Sequence, residues 1–101
     1  MSKIIAIDFD GTLFVTDYTT ILAHRPAVIA RARAAKANGD RLILWTCREG
    51  RELAEAIAAC RAVGLEFDAV NDNLGEAVDQ WGCNPRKVGA DEYWDDKAVA
   101  T

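Results

Sequence analysis

The chain has 101 residues, half of them apolar and without internal repeat, which predicts one domain over residues 1–101, since single domains typically hold about 100 to 150 residues. Its formal net charge of −4 argues against a broad nucleic-acid-binding face. Four of its acids, Asp8, Asp10, Asp95 and Asp96, account for that whole charge, so if they form one site a nucleic-acid partner is disfavoured rather than excluded. The three cysteines, Cys47, Cys60 and Cys83, are odd in number and lack CxxC spacing, which fits reduced thiols in a cytoplasmic protein better than a disulfide or zinc framework. The opening "MSKIIAIDFDG" has too few apolar residues before its first acid for a signal peptide or a membrane span.

In chain order, Ile4 to Ile7 is a short unbroken apolar run, as expected of a strand covered on both faces. A polar, irregular stretch follows from Thr16 to Arg25. Pro26 suits the first position of a helix, and Val28, Ile29, Ala32 and Ala35 recur at helical spacing until Gly39. Arg41 to Thr46, "RLILWT", predicts a second buried strand. From about Gly50 the pattern turns helical again, with Leu53, Ile57 and Cys60 on one face, Gly64 as a left-handed cap and Leu65 packing back on Cys60. Glu66 to Asn71 predicts a third strand, and Asn73 with Glu76 resembles a helix start running toward Gln80. A last strand spans about Glu92 to Asp95. Strands alternating with helices imply parallel βαβ units with right-handed crossovers, hence a small Rossmann-like α/β sandwich of three layers around a parallel sheet, of order 3-2-1-4 if the first and last strands are neighbours.

Asp8 and Asp10 stand two apart at the end of the first strand, and their side chains share a direction if the strand continues through them. Like charges that close are unfavourable without a counter-ion. Gly11 lets the backbone approach a ligand, and amides around Phe9 to Gly11 would suit an oxyanion. A plain turn with a solvated carboxylate explains "DG" as well. A calcium loop does not: with Gly11 at the glycine position, Ala6 falls where the first carboxylate belongs. The second pair, Asp95 and Asp96, also ends an apolar strand. In a doubly wound sheet, ligands bind beyond the carboxyl ends of the strands where strand order reverses, and the order above brings both pairs there. Converging carboxylates with an open face suit a hard cation such as Mg²⁺ carrying a phosphate. Thr46 ends the second strand at that edge and could donate to a phosphate oxygen, although a β-branched residue closing a strand is equally ordinary.

In order and position, "DFDGT" (Asp8 to Thr12), Thr46 in "LILWTCREG" and "YWDD" (Tyr93 to Asp96) resemble the motifs of the haloacid dehalogenase superfamily, whose largest group is phosphatases. The resemblance implies a Mg²⁺-dependent phosphomonoester hydrolase with Asp8 as the nucleophile that forms an aspartyl-phosphate. It implies Asp10 as general acid and base, and Asp96 as direct metal ligand beside the Asp8 carboxylate and the Asp10 carbonyl, with Asp95 a ligand through water or a holder of the others. The basic residue of that family's pattern has no clear counterpart. Lys87 stands only eight residues before Asp95 and is expected at the far edge of the sheet, so Arg48, on the same edge as Thr46, is the preferred phosphate-side cation; a solvated arginine near a helix start is its ordinary alternative.

Larger relatives carry an inserted cap domain. Here Leu13 to Arg25 leaves room only for a small flap, so the expected site is capless and open. By the same resemblance, such members act on large substrates or borrow a neighbouring subunit as a lid, making a homo-oligomer one expected state. Trp94 would serve such an interface, but a core tryptophan facing a helix is the preferred reading. His24 is expected in a solvated loop, and Cys47 as a buried, inert thiol. Asn71 and Asn73 suit turn and cap roles or substrate contact. A phosphoacceptor receiver domain is the rival from another class, but it would carry its acceptor aspartate after the third strand, where this chain reads "AVNDN". A catalytically degenerate metal- or phosphate-binding protein is the second rival.

Overall fold

The computed structural model describes residues 2–71 and 89–95. Its elements in chain order are β1 (Ile4–Asp8), β2 (Phe14–Asp17), β3 (Thr20–His24), α1 (Pro26–Ala37), β4 (Arg41–Trp45), α2 (Gly50–Ala62), β5 (Ala69–Val70) and β6 (Glu92–Trp94). Four strands form one parallel sheet in the order β5-β4-β1-β6. The register sets Asp8 opposite Trp45 of β4 and Ile7 opposite Trp94 of β6. Asp8, Thr46 and Asp95 therefore all leave the sheet at its carboxyl edge.

Alternation along β1 and β4 sorts the side chains between two faces. Ile5, Ile7, Leu42 and Leu44 share a buried cluster with Ile29 and Ala32 of α1 and with Ala56 and Cys60 of α2. Both helices thus lie on one face. On the other, Ala6 and Ile43 are fully buried, with Ile4, Ala69, Ala90 and Tyr93 against them. This double burial is why the strands read as unbroken apolar runs.

The predicted punctuation is present. Pro26 opens α1. Gly64 has φ of +80°, and the Leu65 N–H returns to the Cys60 carbonyl at 2.9 Å, drawing Leu65 into the core. Trp94 is buried beneath Arg31, whose guanidinium lies 4.7 Å from the ring centroid, and its indole N–H donates to Glu92. It belongs to the core, as preferred from sequence. The expected helix from Asn73, with Glu76 and Gln80, lies outside the described residues.

Two segments differ from the sequence reading. The third strand is shorter than Glu66 to Asn71, because Asp68 is diverted to a clamp: its carboxylate accepts from the Leu42 N–H at 2.8 Å and from Lys36 Nζ at 2.9 Å. The larger difference is the stretch read as irregular from Thr16. It is an antiparallel hairpin, β2 paired with β3, with a register shift at Val15/Thr16. His24 closes β3 and meets Phe14 edge-on, so it is a strand residue and not a loop residue.

Candidate active site

β1 ends at Asp8, and the chain turns at once. The Phe9 carbonyl accepts from the N–H groups of Thr12, Leu13 and Phe14, while Gly11, at φ of +82°, donates its own N–H to the Phe14 carbonyl at 2.8 Å. Gly11 thus serves the turn by its left-handed backbone. Its amide is committed to Phe14, which removes it as the oxyanion donor expected from sequence.

The same turn separates the first acidic pair, contrary to the shared direction that a continued strand would give. Asp8 is half-buried and lines a cavity of about 270 Å³ with Trp45, Thr46, Cys47 and Asp95. Asp10 lines a second cavity, of about 430 Å³, with Thr19, Cys47, Arg48, Glu49 and Glu52. Cys47 borders both. It is exposed, not buried as expected, whereas Cys60 is buried and its thiol is pushed up to about 12 by that burial.

The first cavity is the meeting of β1, β4 and β6. Thr46 is buried, its hydroxyl accepts from the Arg48 N–H at 3.1 Å, and its own N–H donates to Asn71 Oδ1 at 2.7 Å. Asn71, at φ of +52°, returns its N–H to the Leu44 carbonyl. The turn role proposed for Asn71 therefore also fixes the Thr46 backbone. The indole of Trp45 meets the Tyr93 ring edge-on at 5.7 Å beside the cavity.

Arg48 departs most from expectation. It is buried, lies 4.8 Å over the Phe9 ring, and turns its guanidinium onto Asp10: Nη2 donates to Oδ1 at 2.8 Å and Nε to Oδ2 at 3.1 Å. Nη2 also donates to the Thr19 carbonyl and Nη1 to the Glu52 carbonyl, each at 3.3 Å. The Thr16 hydroxyl donates to Asp10 Oδ1 at 2.9 Å. Burial works to raise the Asp10 carboxyl, but the hydrogen bonds from Arg48 and Thr16 and the arginine charge outweigh it and hold the group below the usual carboxylate range. Instead of a free phosphate-side cation, Arg48 is the counter-ion of Asp10. Sequence reasoning missed Thr16 and Thr19; neither "FVTD" nor "TILAH" alternates apolar with polar residues, so no period-two signal marked the hairpin.

For a divalent cation, the donor chemistry is suitable. Asp8 and Asp95, on adjacent strand ends, present hard oxygen donors to one cavity, and Mg²⁺ is commonly held by one or two carboxylates together with water and substrate oxygens. Among the described residues no group of three or more histidine, cysteine, aspartate or glutamate side chains is placed to hold a metal, and the Asp10 carboxylate faces Arg48. Asp96 and Lys87 lie outside the described residues.

Fold and site together define an α/β protein whose parallel sheet carries a carboxylate-lined cavity at its carboxyl edge. No family model and no curated protein matches the chain. It is similar to the solved structure of a conserved protein from Bacteroides thetaiotaomicron, with a TM-score of 0.83 and 40% sequence identity over 98% of this chain and 79% of that one. The chain belongs to the same family as that protein.

Proposed function

We propose that the protein is a Mg²⁺-dependent phosphomonoester hydrolase of the haloacid dehalogenase kind, with a Rossmann-like three-layer fold of order 3-2-1-4, no cap domain and a cytoplasmic setting. The observation that supports it best is the shared cavity of Asp8, Thr46 and Asp95 at the carboxyl ends of three neighbouring strands. Asp8 attacks phosphorus, the ester P–O bond breaks, and an aspartyl-phosphate forms. Asp10 protonates the departing oxygen and then takes a proton from the water that resolves the intermediate. In the resting protein Asp10 is a carboxylate, the form suited to the second half of that role; an arriving phosphate dianion favours its protonation for the first. The Thr46 hydroxyl is the phosphate donor from β4. Asp8, Asp95, Asp96 and the Asp10 carbonyl would hold the metal, which when bound supplies the positive charge that offsets repulsion between carboxylate and phosphate.

The Asp10–Arg48 pair favours a second reading, a degenerate binder of metal or phosphate whose acid–base group is permanently occupied. Hydrolysis of an aryl phosphate with and without Mg²⁺ separates the two. The phosphatase reading expects metal-dependent release that falls by about a thousandfold or more in Asp8→Asn. Equal, metal-independent rates in parent and variant would leave only the binding protein.

A further inference from the structure

Arg48 joins three parts of the molecule that sequence keeps apart. Through Asp10 it holds the turn after β1; through the Thr19 carbonyl it holds the hairpin turn between β2 and β3; through the Glu52 carbonyl it is seated on the first turn of α2. Thr16 completes a closed set, because its hydroxyl reaches the same Asp10 oxygen that Nη2 contacts. The hairpin is anchored by Phe14 in the core and by Ile21 against it, but its far end is lightly tied: β3 is mostly exposed and Tyr18 at the turn is 96% exposed. Thr19 nevertheless lines the cavity that Asp10 faces. A side chain that is 5% exposed, stacked on Phe9 and engaged on both edges of its guanidinium has little freedom to swing toward a ligand in the Asp8 cavity.

We propose that Arg48 is a positioning residue that never touches the phosphoryl group: it locks the Asp10 carboxylate and the β2–β3 hairpin into one unit, so that the acid–base group and the wall of the leaving-group cavity are placed together. Guanidinium geometry is what makes this workable. Its planar fork meets a carboxylate with two parallel bonds and still spares donors for two carbonyls, which the point charge of a lysine cannot do. The catalytic half of the inference rests on the phosphatase reading; the structural half stands without it.

The test pairs hydrogen exchange of the hairpin amides with aryl phosphate kinetics in Arg48→Ala, Arg48→Lys and Thr16→Val. Positioning expects hairpin exchange to rise about tenfold or more in Arg48→Ala, with a smaller rise in Thr16→Val, which leaves Arg48 intact and lies on a partly exposed strand. It expects kcat to fall about a hundredfold in Arg48→Ala, as for misplacement of a catalytic group, with KM nearly unchanged and little rescue by lysine. Unchanged hairpin exchange in both variants would overturn the proposal even if the parent hydrolysed nothing. A raised KM restored by lysine would overturn it too, by showing a phosphate contact. Loss of hydrolysis from the parent with hairpin exchange still rising would reject the enzyme reading and keep the lock.

Discussion

At the scale of single residues, the turn that follows β1 assigns each of its side chains a separate task. Asp8 stays with the sheet edge, Asp10 goes to Arg48, and Thr12 is buried at 1% exposure with a hydroxyl that has no hydrogen-bond partner among the described residues. A buried, unpaired hydroxyl is costly, and replacing it by an apolar group of the same shape is close to neutral or stabilising. Thr12→Val is therefore expected to leave the unfolding free energy unchanged or to raise it by about 1 kcal/mol, read from denaturant midpoints. A loss of that size would mean that the hydroxyl has a bonding role. Thr12 stands in the most informative sequence motif, yet only its burial separates it from the two acids before it.

Among elements, the Asp68 clamp ties the end of α1 to the start of β4 and the entry to β5. Burial raises its carboxyl, but the Leu42 N–H and Lys36 outweigh that and leave it below the ordinary range. The unfolded chain, with an ordinary value near about 3.9, then binds the proton more readily than the folded one. Stability from this group is present above about pH 4 and is lost as the pH falls through the lower folded value. Asp68→Asn should cost about 1 kcal/mol at pH 7, and its difference from the parent should shrink in acid below about pH 4. A difference independent of pH in thermal unfolding would contradict the ionic part of the clamp. The hairpin shows the opposite case. Its two-residue turn, Tyr18 and Thr19, lacks the glycine or asparagine that usually marks such a turn, and Tyr18 adopts φ of +52° regardless. Contacts of Arg48 and Thr16 with Asp10 supply what local propensity does not.

For the whole molecule, acids at the two ends of the sheet do different work. At the amino edge, Asp40 and Asp91 accept the N–H groups of Lys3 and Ile4, so their charge is used within the fold. At the carboxyl edge, Asp8 and Asp95 share a cavity. If Mg²⁺ binds there, it stabilises the folded state by about 2.7 kcal/mol at a hundred times its Kd, a rise in Tm of roughly 4–8 °C per kcal/mol for a small domain. The expected outcome is a Tm that rises with Mg²⁺, returns on chelation and ceases to respond in Asp95→Asn. An Mg²⁺ response undiminished in that variant would place the metal elsewhere. Among the described residues no helix is long and apolar enough to cross a membrane.

What sequence alone determined was the four strands of the parallel sheet and the helices α1 and α2, but not the β2–β3 hairpin, because strands buried on both faces must be continuously apolar and those helices are bounded by Pro26, Gly39 and Gly64. It also marked the residues at strand ends, since Asp8, Thr46 and Asp95 are fixed by where apolar runs stop. The partner of Arg48 was not legible. Thirty-eight positions separate it from Asp10, and a spacing pattern says which face a residue shares with its near neighbours but nothing about which distant charge a turn will deliver. Only the tertiary structure decided that the two aspartates part company, because β1 ends at Asp8 and the chain turns at Phe9 instead of running on through Asp10, which breaks the side-chain alternation on which their shared direction depended.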